Sequence, residues 1–221
     1  MSKGLVIAID GPAGAGKSTV AKILAKRLNL HYLDTGAMYR ALALKATRAG
    51  LKGDQGAAAA ELFGNSKIEF ADGDLQRVLL DGEDITSTIR TPEIAELASA
   101  LSTHSSVRQI MVAMQQRLIA QGGFTLEGRD TTTVVAPDAD LKVFLTASLE
   151  ERTRRRHKEL VQAGSDVELA ELTRQISERD HRDYTRDESP LTKSPDAFCV
   201  ESFGITPDEV AEKIIAHLNR P

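Results

Sequence analysis

Gly11-Pro12-Ala13-Gly14-Ala15-Gly16-Lys17-Ser18-Thr19 constrains this chain more than any other stretch, because it fits the G-x-x-x-x-G-K-[ST] phosphate-binding loop without a mismatch. Before it, Leu5-Val6-Ile7-Ala8-Ile9 is a short apolar run of the kind buried in parallel sheets. After it, Val20, Ile23, Leu24 and Leu28 recur at helical spacing. Strand, glycine loop and helix thus come in the order such a loop requires. Glycines lack a Cβ and let the backbone wrap phosphate oxygens, while the N–H groups of a helix N-terminus face the anion. Lys17 adds a mobile positive charge, and Ser18 offers a hydroxyl to Mg²⁺. The expected ligand of Gly11 to Thr19 is a nucleoside triphosphate.

Five buried strands are expected, at Leu5–Ile9, His31–Leu33, Phe124–Glu127, Leu141–Leu145 and Ala197–Val200, most of them separated by long helical patterns. That alternation means an α/β fold with a parallel sheet covered on both faces. Between Leu51 and Ile94 the alternation breaks. Lys67–Ala71 and Leu75–Leu80 read as short strands, with Asp72-Gly73-Asp74 and Asp81-Gly82 as turns. The block is either a small inserted lobe or an ordinary surface excursion. Helices then resume. Pro92 opens one, and Val107, Ile110, Met111, Met114 and Leu118 stripe another that Gly122-Gly123 ends. Thr206-Pro207-Asp208-Glu209 is a capping box at the head of the last helix.

The 221 residues are 41% hydrophobic with few aromatics and no Trp, so Leu, Ile, Val and Ala must fill the core. A net charge of −4 argues against a dedicated nucleic-acid or membrane-surface binder. The single cysteine, Cys199, sits in Ala197-Phe198-Cys199-Val200 and reads as a buried structural thiol in a reducing compartment. No apolar run approaches a membrane span or a signal-peptide core. A cytoplasmic monomer is the expectation, with no nucleic-acid or membrane partner.

Three users of such a loop compete: a switch GTPase, an ATP-driven motor and a small-molecule kinase. The Asn-Lys-x-Asp and Asp-x-x-Gly signatures of a GTPase are missing, and a motor usually brings a larger domain with a basic track. Kinase chemistry gains from Arg40 and Arg129, which follow the second and third strands at the end of the sheet where ligands bind. Two Arg-rich stretches lie further on, Glu151 to Lys158 and Glu178 to Asp187. Arg179, Arg182 and Arg186 fall at i, i+3 and i+7, one helical face, with Asp183 beside them. Each stretch is either a salt-bridged exposed helix or a lid that closes over the donor. His31, His104, His157, His181 and His217 are structural or solvated, because an anionic phosphate acceptor needs no base. Glu127 ends an apolar strand, the place of a carboxylate that holds a metal water.

The chain resembles the bacterial cytidylate kinases. The match is carried by Ile9 to Thr19, Leu33-Asp34-Thr35-Gly36-Ala37-Met38-Tyr39-Arg40, Gly128-Arg129-Asp130, Thr133-Val134-Val135-Ala136-Pro137-Asp138-Ala139 and Glu178 through Arg186, in family order. The resemblance implies a P-loop NTPase fold with a five-stranded parallel sheet, an inserted nucleoside-monophosphate lobe and a helical lid. The core would take residues 1–50, 105–150 and 188–221, the lobe 51–104, and the lid with its following helix 151–187. The implied reaction moves phosphate from ATP, with Mg²⁺, to CMP or dCMP. Another small-molecule kinase, for UMP or shikimate, is the alternative, and a module that binds ATP without turnover is a more remote one.

Carried over by the resemblance, Arg40, Arg129 and Arg186 grip the CMP phosphate, Ser99, Arg108 and Asp130 face cytosine, and Arg179 and Asp183 hold the ribose. Thr35 joins this acceptor set. Lys17, Arg129, Arg155 and Arg186 form the catalytic set, Ser18 is the metal contact, and Arg152, Arg155 and Arg156 are the lid arginines. A carboxylate at Asp130 suits the N4 amino group of cytosine, and Arg108 suits its acceptors. The chain departs from the family at Thr131 and Thr132, where a hydrophobic residue and a glycine are usual. The Cβ that Thr132 adds in place of glycine narrows the backbone choices beside the base pocket.

Overall fold

A computed structural model describes residues 4–71, 76–162, 164 and 166–219. β1 (Val6–Asp10) lies at the centre of a five-stranded sheet, and every residue of it is buried. Its neighbours are β6 (Phe124–Gly128) and β7 (Leu141–Thr146), with β2 (His31–Asp34) and β8 (Phe198–Glu201) at the edges. All four pairings are parallel, in the order β2-β6-β1-β7-β8. The chain moves to one side of β1 first and to the other afterwards. A crevice therefore opens at the carboxyl end of β1, where crossovers leave in opposite directions.

The two faces of β1 explain the layering, since successive side chains of a strand point to opposite sides. Ile7 and Ile9 pack with Val20 and Leu24 of α1 (Lys17–Leu28) and with Val210 and Ile214 of α8 (Pro207–Leu218). Val6 and Ala8 pack against Met38 and Leu42 of α2 (Thr35–Arg48) and Met111 of α5 (Ser105–Leu118). The expected capping box is present at α8, with Thr206 Oγ1 accepting from Glu209 N and the Glu209 carboxylate accepting from Thr206 N.

Between α2 and α5 lie α3 (Gly56–Gly64), an antiparallel sheet of β3 (Ile68–Ala71), β4 (Arg77–Leu80) and β5 (Glu83–Asp84), and α4 (Pro92–Leu101). The four alanines thus lie in a helix. Asp81 and Gly82 both have positive φ, 51° and 88°, and close the β4–β5 hairpin as an Asp-Gly two-residue turn. The Asp72-Gly73-Asp74 turn lies outside the described residues, as does Leu75. Phe63, Val78, Leu80, Ile85 and Ile89 of this block share one apolar cluster with Leu33 and Leu126 of the main sheet. The block is therefore packed on the main sheet.

Two expectations need correction. Cys199 is exposed. It lies on edge strand β8 between Phe198 and Val200, which turn to the α1/α8 layer, so its own side chain points to the opposite face. Helix α5 ends at Leu118, ahead of Gly122-Gly123. The reason for Gly122 is close approach: a Cβ there would stand 2.0 Å from the Gly4 carbonyl oxygen.

Candidate active site

The loop after β1 turns on Gly11, whose φ is 150° and whose added Cβ would lie 1.9 Å from Leu145 O. Gly16 then caps α1 in the left-handed region without any side-chain cap, so the first N–H groups of the helix are not taken up by a capping side chain. Lys17 opens that helix, buried, with Nζ donating to Pro12 O at 2.8 Å. Ser18 Oγ donates to Glu127 Oε1 at 2.5 Å, and Tyr32 OH donates to the same oxygen at 3.1 Å. Glu127 lies opposite Ile9 in the β1–β6 register, which brings it beside the loop. Hydroxyl and carboxylate oxygens are hard donors, the kind Mg²⁺ prefers. Among the described residues, no group of three His, Cys, Asp or Glu side chains is placed to hold a metal ion.

The loop is braced from outside. Ala13 N donates to Asp180 Oδ1 at 3.0 Å, and Arg152 donates to Ala13 O at 2.9 Å while pairing with the Asp180 carboxylate. Asp180 belongs to α7 (Leu169–Thr185) and Arg152 to α6 (Leu149–Gln162). Arg155 donates to both Ser202 Oγ and Ser202 O, at 2.9 and 2.6 Å, and Ser202 Oγ reaches Ala15 O at 3.2 Å. The three arginines expected in a lid therefore differ. Arg152 is a buried strut, Arg155 bridges to the loop's flank, and Arg156 is exposed and paired with Glu159.

Across the crevice, Asp34 and Glu127 end β2 and stand near the end of β6. Asp34 caps α2 through Ala37 N and pairs with Arg40 at 2.8 Å and Arg90 at 3.4 Å. Thr35 Oγ1 donates to Glu127 O at 2.6 Å. Arg129 donates through Nε to Asp183 Oδ2 at 2.8 Å, and Arg186 Nη1 stands 3.6 Å from Asp183 Oδ1. Arg108 of α5 pairs with Asp130, with Arg186 Nη2 3.9 Å from the same carboxylate. Ser99 of α4 is buried, and its Oγ accepts from Arg182 Nε at 3.3 Å. The helix ends at Thr185 with Arg186 as its C-cap, whose N–H still donates to Arg182 O at 3.1 Å, and Arg179 and Arg186 both act on Asp183.

Cations outnumber their carboxylates here, and the pKa shifts record it. Lys17 is lowered to about 7 by burial and by the Arg129 charge. Arg179 is lowered to about 10 by burial and again by Arg129. Those couplings place Lys17, Arg129 and Arg179 within electrostatic reach of one another, and Arg40 joins through Arg179. Burial pushes Asp183 up, yet Arg129, Arg179 and Arg186 together bring it below its ordinary value. Among the described residues, several buried donors have no hydrogen-bond partner: Arg40 Nε, Arg108 Nε, Arg179 Nε and Arg186 Nη2, with the hydroxyl of Tyr39. Buried polar groups are normally paired, so such a set on one wall of a crevice suits an anionic ligand.

Some residues of this site escaped the sequence reading. Asp10, Asp34 and Asp180 were visible only as members of motifs, because nothing local says what a carboxylate will accept. Arg90 lies in a stretch without a motif. Ser202 had only its place after the last strand to recommend it.

A parallel sheet with its phosphate loop after the central strand, and cationic side chains facing that loop, defines a kinase of the P-loop class. An uncharacterized protein from Eubacterium ventriosum superposes with a TM-score of 0.56 at 13% identity, covering 98% of this chain and 99% of that one. Shikimate kinase from Bacteroides thetaiotaomicron superposes at 0.51 and 14% identity, with the same coverage. Those likenesses concern the fold alone. The chain belongs to the cytidylate kinase family, whose model matches residues 7–220. The cytidylate kinase of Citrifermentans bemidjiense is 49% identical over 210 residues, 95% of this chain and 90% of the relative. That of Desulforamulus reducens is 47% identical over 220 residues, 100% of this chain and 99% of the relative.

Proposed function

We propose that this chain phosphorylates CMP and dCMP with ATP and Mg²⁺, giving CDP or dCDP and ADP. The observation that carries this reading is the Asp130–Arg108 pair set behind the arginines that face Lys17. Asp130 accepts from the cytosine N4 amino group, and Arg108 donates to the ring acceptors. Uracil would set its O4 against the carboxylate. An unpaired buried polar group costs about 1–3 kcal/mol, so CMP is preferred over UMP by roughly ten- to a hundredfold.

Gly11 to Thr19 wrap the donor phosphates, and Lys17 supplies charge at the transferring group. Ser18 and Glu127 are the residues that would hold Mg²⁺ or its water, and the ion neutralises charge shared by the β- and γ-phosphates. Arg40, Arg129 and Arg186 hold the acceptor phosphate, with Thr35 at its edge. Arg179 and Asp183 take the sugar, and Ser99 borders the base. An acceptor phosphate oxygen forms the new bond to the γ-phosphorus as the bond to the ADP oxygen breaks. The acceptor is already anionic, so no side chain needs to remove a proton. Arg155 and Arg186 offset charge on the moving group. Residues 51–104 act as the acceptor lobe and 151–187 as the lid and its support. Such a protein works as a cytoplasmic monomer in pyrimidine nucleotide metabolism. No helix among the described residues is long and apolar enough to cross a membrane.

The test is ADP formation from ATP and Mg²⁺ against a panel of CMP, dCMP, UMP, AMP and shikimate. CMP and dCMP should dominate. Faster turnover of UMP or shikimate, or no turnover with any acceptor, overturns the reading.

A further inference from the structure

Asp10 is the last residue of β1, directly before the phosphate loop, and its side chain has no solvent exposure. Its carboxylate is fully engaged by two residues far away in sequence. Oδ1 accepts from Thr131 N at 2.9 Å and Thr131 Oγ1 at 2.7 Å. Oδ2 accepts from Thr132 N and Thr132 Oγ1, both at 2.7 Å. An ionised carboxylate offers about four lone-pair sites, and each is filled. Burial holds Asp10 above its ordinary value, and the threonine donors, which favour its charged form, offset part of that shift.

We propose that Asp10 is a positioning residue which, through the backbone and hydroxyl donors of Thr131 and Thr132, aims the Asp130 carboxylate at the base of the acceptor nucleotide. The inference rests on Asp130 reading that base. The peptide between Asp130 and Thr131 carries the Thr131 N–H, so holding that N–H holds the ψ of Asp130, which is 21°. The far side of the same residue is held too. Asp130 O accepts from Val134 N at 2.9 Å and Val135 N at 3.2 Å in a wide π-type turn over Thr131–Val135, and Thr131 O accepts from Ala136 N at 2.8 Å. Such wide turns recur at functional sites. The backbone of Asp130 is thus clamped between its own turn and the end of β1, while Arg108 and Arg186 meet its carboxylate.

The hydroxyls are separable from the fold. The double variant Thr131→Val/Thr132→Val keeps shape and both N–H donors but removes two of the four hydrogen bonds to Asp10. We expect KM for CMP to rise about tenfold and the CMP-to-UMP ratio of kcat/KM to fall about fivefold or more, with KM for ATP changed less than about twofold. Thr131→Ser/Thr132→Ser restores the hydroxyls and should restore both CMP values. Should the double valine variant not fold, the single variants Thr131→Val and Thr132→Val, each leaving three donors, should show the same split in smaller measure. Unchanged CMP constants in a folded valine variant overturn the proposal, as does an equal loss toward CMP and ATP, which marks a merely structural role. Wild-type protein with no preference for CMP over UMP instead removes the base-reading role of Asp130 itself.

Discussion

Arg129 Nε donates to Asp183 Oδ2 across 2.8 Å within the crevice, and both side chains are largely withdrawn from solvent. Together with the bond from Arg129 Nη1 to Gly128 O at 3.2 Å, the contact fixes the orientation of the guanidinium. Arg129→Ala should raise KM for CMP by roughly tenfold or more, the measure of a lost charge-assisted contact. It should also move acid unfolding. A lowered carboxyl contributes stability that is present above its unfolded value and lost as pH falls through its folded one. Without Arg129, Asp183 protonates at a higher pH, so melting temperatures should begin to drop at a higher pH than in the wild type.

Asp130→Ala removes the carboxylate assigned to the cytosine amino group. The CMP-to-UMP ratio of kcat/KM should collapse toward unity, by roughly ten- to a hundredfold. Parallel kinetics with both nucleotides read this directly. An unchanged ratio sinks the base-reading assignment.

Lys17 gives a pH signature. With its pKa near 7 in the free protein, it loses its proton as pH rises past that point. kcat/KM for ATP should therefore decline above about pH 7, while kcat persists to higher pH because bound phosphate restores the charge. Lys17→Met should cost several orders of magnitude in turnover. It should also raise the melting temperature, since a buried cation is removed. The gain is full below the folded pKa of about 7 and disappears as pH climbs to the ordinary lysine value of 10.5. Calorimetry on either side of that window checks the sign.

Gly128 ends β6 in close contact with Thr131 and Thr35. An added Cβ would stand 2.6 Å from Thr131 Cγ2 and 2.7 Å from Thr35 Oγ1. Gly128→Ala should destabilise by about 1–3 kcal/mol, visible in denaturant unfolding, because two packed side chains must shift. Full stability in that variant would mean the loop yields easily.

Local pattern carried the elements far because helix and strand periods are local properties. Pro92 opens α4 and Asp81-Gly82 turns its hairpin as their chemistry requires. The strand set of the main sheet was legible to within a residue or so at each end. Ambiguity lay where side chains choose partners. Cys199 looked buried from its apolar neighbours, yet an edge strand leaves one face uncovered. Arg152, Arg155 and Arg156 looked equivalent in sequence, and only the packing of α6 beside α7 and the phosphate loop gives each its own contacts.

By itself, the order of residues determined the phosphate loop, the alternation of strands and helices, and the family motifs around Arg40, Arg129 and Asp130, since each depends on spacing along the chain. Only the tertiary structure decided that Asp10 takes Thr131 and Thr132, that Ser18 takes Glu127, and that Arg186 approaches Asp183 and Asp130. Those pairings join residues separated by up to 122 positions. Their strength depends on distance and burial, which strand order and helix packing set together.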